Sequence, residues 1–309
     1  VIRQPGLLSL LQDRGRFGQA GLGLTTGGPM DPIAAAIANR LLQNSTQATL
    51  IEVSFGGLEV EAMEDVQVAI TGATLPVLCD GEERPMWTVL SLRAGQLLNL
   101  GFSEHGCRSY LAIRGGFAIP KSFGSTATVV REGIGGINGQ RLSPGDELPR
   151  TPAKPTPALW LPPAHRPQYP KRAIVRVIPG YQQAAFPRLE QRRFYAGEYQ
   201  VSDRCDRMGY RLEGPVIACD LNGILSEGIA PGAIQVPADG QPIVLLNDRQ
   251  TIGGYPKLGT ALSLDCIALA QLRPGATVNF SPITEHRAHN ALHLAQVFEQ
   301  SRRYETAPG

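Results

Sequence analysis

Between Pro149 and Pro170 the chain reads PRTPAKPTPALWLPPAHRPQYP, a stretch with eight prolines. Each proline fixes φ and lacks a backbone donor, so neither a helix interior nor a central strand can run through it. The segment reads as a stiff, extended connector, pinned to a domain surface by Trp160. It divides the 309 residues into an N-terminal domain, 1–148, and a C-terminal domain, 171–309. Each is close to the roughly 150 residues of a typical single domain.

Outside the connector, glycine and proline remain abundant (35 and 25 in the whole chain) without a collagen period or a low-complexity run. That pattern predicts many tight turns between short strands. Strands are expected over 57–61, 66–71, 96–100 and 109–114, then over 173–178, 233–236 and 242–246, each β-branched or Leu-rich and bounded by Gly, Pro or Asp. Helices are few. Asp31 followed by Pro32 predicts a capped start for a helix running to about Leu42. A second is expected from Asp265 to Leu272. A third begins near Thr284 and places Ala288, Ala291, Leu292, Ala295 and Phe298 on one face. Residues 92–100, LRAGQLLNL, echo residues 272–280, LRPGATVNF, which is compatible with a duplicated β unit. The expected fold is mostly β, two barrel-like domains with peripheral helices.

Several function classes are disfavoured. The formal charge of +2 comes without a basic block, so nucleic acid is not an expected partner. Five cysteines are scattered with no CxxC, against both a disulfide scaffold and a zinc knuckle. No apolar run approaches the roughly 18 residues of a membrane span, and no signal peptide opens the sequence. A cytoplasmic protein is the expectation. His286, His289 and His293 fall near one face of the last helix, but without HExxH order they read as a solvated face, and no metal site is expected.

Four segments carry more polar chemistry than strands require. The fourth, LLNDRQTIGGYP from Leu245 to Pro256, follows an apolar strand with Asn247, Asp248, Arg249, Gln250 and Thr251, then Gly253-Gly254 and Tyr255. A carboxylate, a guanidinium, two amides and a hydroxyl in succession can grip a small amide or carboxylate. The competing reading is a polar hairpin in which Asp248 and Arg249 pair at the surface. The third segment holds Asp206 and Arg207 before Met208-Gly209, either an orienting ion pair or one that closes a turn. Gln235 precedes the strand at 242–246. Near the N-terminus, Gln12, Asp13 and Arg16 form either an anion-binding loop or a charged turn. Gly133, Gly135 and Gly136 lack the GxxxxGK[ST] order and read as a connecting turn rather than a phosphate loop.

Taken in order, these segments resemble the family of allophanate hydrolase subunit 2, also called the KipA or biotin-dependent carboxyltransferase family. The resemblance runs from Gln12-Asp13 through Gly28-Pro29-Met30-Asp31, Ala69 to Ala73 and Arg108 to Gly116. It resumes at Asp206 to Gly214, and the long run from Leu225 to Pro256 is its most specific part. Leu10 and Ile252 depart from the threonines usual at those places. The resemblance implies two cyclophilin-like β-barrel domains and a KipI-like partner. One implied activity is ATP-dependent 5-oxoprolinase, with a LamB/YcsF-like subunit also taking part. In that reading Asp248 and Arg249 orient the substrate, Gln250 and Thr251 donate hydrogen bonds, and Tyr255 forms a wall. Asp206, Arg207 and Gln235 support them, and Gln12, Asp13 and Arg16 are the N-terminal contribution. A second implied activity is the carboxyltransferase step of a urea or amide carboxylase. Its biotin would be carried by another polypeptide, because no AMKM-like lysine motif occurs here. A third is a non-enzymatic antagonist that binds a KipI-like kinase inhibitor.

Overall fold

The computed structural model describes residues 1–221 and 223–307. They form two compact units. One comprises Val1–Gly18, Thr26–Tyr169 and the chain from Arg302 on; the other comprises Gln19–Thr25 and Pro170–Ser301.

The first unit contains two five-stranded sheets. One has the spatial order Ile2–Pro5, Gly56–Glu61, Leu97–Phe102, Val77–Cys79, Glu82–Glu83. The other runs Leu8–Gln12, Leu50–Ser54, His105–Ile113, Val66–Thr74, Val89–Leu92. Strand alternation assigns the faces. Ile51, Val53, Ile70 and Leu111 join Leu58, Leu98 and Leu100 in one apolar core. Leu50, Ala69, Tyr110 and Ala112 point the other way, onto helix α1 (Pro32–Leu41) and its Ala34, Ile37, Ala38 and Leu41. The second sheet is thus covered on both faces, which explains near-continuous apolar runs such as VQVAIT. Asp31 caps α1 as the sequence predicts, its Oδ1 accepting from Ala34 N at 2.9 Å, with Pro32 at the first position. The proline-rich stretch is packed rather than suspended. Leu161 is buried in the α1-side cluster, and Leu159–Trp160 pairs with Glu305–Thr306.

The second unit is a closed barrel of seven strands. Around it run Arg172–Pro179, Lys257–Ala261, Ala233–Gln235, Ile243–Leu245, Gly209–Glu213, Glu198–Cys205 and Thr277–Pro282. The first and last of these pair in parallel; the other neighbours are antiparallel. Closure removes exposed sheet edges. Val175, Val177, Val201, Leu212, Ile234, Val244 and Val278 are buried in it. Helix α2 (Arg188–Ala196) is missing from the sequence reading, because its charged segment RLEQRRFYA buries just Glu190 and Phe194. Phe194 nevertheless anchors it, stacking on Phe280 with ring centres 4.3 Å apart.

Helix α3 (Ser263–Ala270) starts two residues before the expected Asp265. The Asp265 carboxylate instead accepts from Arg176 N, Nε and Nη2 at 2.7, 2.8 and 2.6 Å. Helix α4 (Glu285–Ser301) forms as expected, but its apolar face does not pack as expected. Ala288 is buried, whereas Leu292 is 36% and Phe298 50% exposed. His286, His289 and His293 are exposed. The chain is mostly β with peripheral helices, as its sequence pattern indicates.

Candidate functional site

The polar run begins where strand Ile243–Leu245 ends. Leu246 N donates to Met208 O and Asp248 N to Arg207 O, both at 2.9 Å, laying the strand exit against the 206–209 turn. Across this seam Arg207 Nε and Nη2 donate to Asp248 Oδ2 and Oδ1, each at 2.9 Å. The two side chains are 6% and 9% exposed, so this is a buried, bidentate pair. It corrects the expectation that Asp206 is the partner of Arg207. Residues 206–208 form the bend between the strands Glu198–Cys205 and Gly209–Glu213, and the backbone bonds of Arg207 and Met208 set it against the strand exit. Arg207 therefore reaches across the seam, while Asp206 Oδ1 accepts from Met208 N (2.8 Å) and Gly209 N (3.2 Å) and closes its own turn.

The surface pairing of Asp248 with Arg249 is also corrected. Asp248 is buried, and Arg249 turns inward to donate from Nε to Ile229 O (3.1 Å) and from Nη1 to Leu246 O (3.4 Å). Burial holds the Arg249 guanidinium below its ordinary pKa, with the charge of Asp248 opposing. Beyond it Gln250 is exposed, Thr251 is half-buried and Tyr255 is 50% exposed. Ile252–Gly253 pairs with Glu227–Gly228, and Ile229 N donates to Thr251 O at 3.0 Å, making a small two-stranded ribbon.

Gln235 lies under this ribbon. It is buried and stands directly opposite Lys257 on the neighbouring strand. Its Nε2 has no hydrogen-bond partner, and a Cβ added at Gly253 would come within 2.9 Å of that nitrogen. Beside it the Lys257 ammonium pairs with Glu227, whose carboxylate also accepts from Tyr181 OH and from Gln182 Nε2 at 2.9 Å. Lys257 and then Tyr181 hold the Glu227 carboxyl below its ordinary range, while the bond to Glu227 raises the Tyr181 phenol. The sequence reading missed Tyr181, Gln182, Glu227 and Lys257. The available signal was the polar Gly-Tyr-Gln-Gln that ends the strand at 172–179, but nothing linear ties it to residues 227 and 257.

The N-terminal candidates lie in the first unit. Gln12 is fully buried, donating to Thr128 O (3.0 Å) and accepting from Gly28 N (2.9 Å). Asp13 accepts from Gly15 N and Thr126 N, both at 2.9 Å. Arg16 donates from Nε to Ser122 O and from Nη2 to Ala127 O, both at 3.0 Å. These bonds knit the loop after Gln12 to residues 122–128. In the adjoining glycine-rich turn, Gly139 N donates to Gly135 O at 2.8 Å, and a Cβ at Gly135 would sit 2.0 Å from Ala127 O. Those glycines are packed against their own chain, a poor fit to a phosphate cradle. Among the described residues, no group of three His, Cys, Asp or Glu could hold a metal ion, and no helix is long and apolar enough to cross a membrane.

The profile of the carboxyltransferase domain, subdomains A and B, matches residues 22–282. The chain belongs to this family. It is 37% identical over 307 residues to the C subunit of 5-oxoprolinase from Escherichia coli K12, covering 97% of this chain and 96% of that protein. Among solved structures, TTHA0988 superposes with a TM-score of 0.82 at 33% identity, over 91% of this chain and 55% of that one. The urea amidolyase of K. lactis has the same fold, with a TM-score of 0.92 at 23% identity, over all of this chain and 20% of that one.

Proposed function

We propose that the chain is a subunit of an ATP-dependent 5-oxoprolinase, which opens the lactam of 5-oxoproline to glutamate with KipI-like and LamB/YcsF-like partners. One observation carries the reading: the end-to-end correspondence, 97% of this chain against 96% of the E. coli 5-oxoprolinase C subunit. In this reading the ribbon and strand exit form a wall of the substrate site. Gln250, Thr251 and Tyr255 offer two polar groups and a ring on the accessible side of that segment. Arg207–Asp248 acts by position, since both carboxylate oxygens of Asp248 are already engaged. Arg249 and Asp206 fix the flanking turns, Gln235 lines the floor, and Gln12, Asp13 and Arg16 shape the N-terminal loops. ATP supplies the energy that makes an inert lactam cleavable. No residue of this chain is assigned to ATP, and its glycine-rich turn does not fit a nucleotide.

The test is ATP hydrolysis stimulated by 5-oxoproline, measured on this chain with and without its candidate partner subunits. Turnover is expected in the full complex alone. A reconstituted complex with no 5-oxoproline-dependent turnover rejects the reading. The second reading is the carboxyltransferase step of a urea or amide carboxylase, favoured by the fold shared with the K. lactis urea amidolyase. Transfer of a carboxyl group from carboxybiotin on a separate carrier to urea would establish it.

A further inference from the structure

Three donors from two separate segments converge on one carboxylate, that of Glu227. Lys257 supplies the charge from a side chain that is 11% exposed, while the Glu227 side chain remains 32% exposed. Gln182 is held in a fixed orientation, because its Oε1 accepts from Lys257 N at 2.8 Å and so turns its Nε2 toward the carboxylate. A simple closing ion pair needs none of this. A surface glutamate on a two-residue strand gains little from one exposed partner, yet here the charged partner, Lys257, is largely buried and Gln182 is pre-oriented, with Tyr181 completing the set from an exposed position.

The second observation is Gln235. It is 6% exposed, it neighbours Lys257 across the strand pair, and its Nε2 has no partner. Buried amide donors are rarely left without an acceptor, because the desolvation they suffer goes uncompensated. A carboxylate receptor next to an unanswered amide donor is the complement of a small acid that also carries an amide carbonyl. Gly253, at the ribbon's inner face, packs directly on that nitrogen, since a Cβ there would strike Ile229 Cδ1 at 2.5 Å and Gln235 Nε2 at 2.9 Å; the amide is covered while the ribbon is in place and opens when the ribbon moves.

We propose that Lys257, Tyr181 and Gln182 form a cradle for the carboxylate of a small amide-bearing acid, that Gln235 donates to its amide carbonyl, and that Glu227 is an internal stand-in for the carboxylate. Binding exchanges one carboxylate for another, so the charge on Lys257 stays neutralised while Glu227 swings to solvent with its ribbon. Naming the acid as 5-oxoproline rests on the 5-oxoprolinase reading; the cradle itself does not.

The test is equilibrium binding by calorimetry on the full chain, with 5-oxoproline, N-acetylglycine and 2-pyrrolidinone, which has the lactam but no carboxylate. Removing the competing charge with Glu227→Gln is expected to tighten binding of an amide-bearing acid about tenfold or more, a difference easily resolved in Kd. Lys257→Met in that background is expected to weaken it by at least as much, leaving 2-pyrrolidinone unaffected. Gln235→Leu is expected to weaken acid and lactam alike. Should Lys257→Met lower the melting temperature into the assay range, Tyr181→Phe probes the same cradle. Acid affinity unchanged within about twofold across Glu227→Gln and the cradle variant, or no binding by either, overturns the proposal. N-acetylglycine binding without 5-oxoproline binding supports the cradle and counts against the 5-oxoprolinase reading. A complex that turns over 5-oxoproline while the cradle variants bind normally does the reverse.

Discussion

Truncating Asp248 to alanine leaves the Arg207 guanidinium in a seam where it is 6% exposed, with the Nε–Nη2 edge that held the carboxylate unanswered. Burial of both partners removes most solvent screening, so the small values of surface pairs do not apply. Removing one member of a buried pair typically costs about 3–5 kcal/mol. Set against a total stability of roughly 5–15 kcal/mol, that is a large fraction. At about 2–4 °C per kcal/mol for a domain of this class, the melting temperature should fall by roughly 6–20 °C. Replacing both partners, Arg207→Met with Asp248→Leu, removes the uncompensated charge and should recover most of the loss. Thermal and urea unfolding of Arg207→Met, Asp248→Leu and the double variant give the coupling energy directly. The same set sorts position from contact. If the double variant refolds the seam and the complex regains turnover, Asp248 acts by holding the loop. Single variants each within about 1 kcal/mol of the parent would refute the account of the pair as a buried anchor.

Three further outcomes follow from the same reasoning. Gly253→Ala places a methyl 2.5 Å from Ile229 Cδ1 and should cost about 1–3 kcal/mol; hydrogen exchange should rise at Ile229 and Ile252 while the barrel strands stay protected. Tyr110→Phe removes the hydroxyl that donates to Glu52 Oε2 (2.9 Å) and accepts from Asp31 N (2.7 Å), at a cost of about 1–3 kcal/mol in urea unfolding; a neutral result would show that the network is replaceable there. Burial raises the Cys266 thiol from 9.0 to about 12. The unfolded thiol ionises first, so its contribution disfavours the folded state progressively as pH rises from 9.0 toward about 12. Cys266→Ala should flatten that part of the stability profile, and native labelling of Cys266 by iodoacetamide at pH 8 should be slow; rapid labelling would contradict the raised thiol pKa.

The elements were legible where local chemistry sufficed. Asp31-Pro32 announced α1 because a cap and a first-turn proline act within four residues. Short β-branched runs between glycines and prolines marked seven strands, since period and punctuation are local, while others such as Leu50–Ser54 and Glu198–Cys205 went unmarked. Helix α2 was hidden because a single aromatic, Phe194, secures it to a ring 86 positions away, Phe280. The apolar face of α4 misled for the opposite reason: periodicity states which side is apolar, not whether anything covers it.

By itself the sequence determined a mostly β chain, and it pointed to the polar run from Asn247 to Tyr255 as the place to look. Tertiary structure decided what those polar groups touch. Asp248 and Arg207 found each other rather than Arg249 and Asp206, because strand pairing brings the 206–209 turn and the strand exit together. Lys257, Glu227, Tyr181 and Gln182 became a cluster because barrel closure sets distant segments side by side. Hydrogen bonds and ion pairs act over about 3 Å in space, and separation along the chain says nothing about which groups come that close.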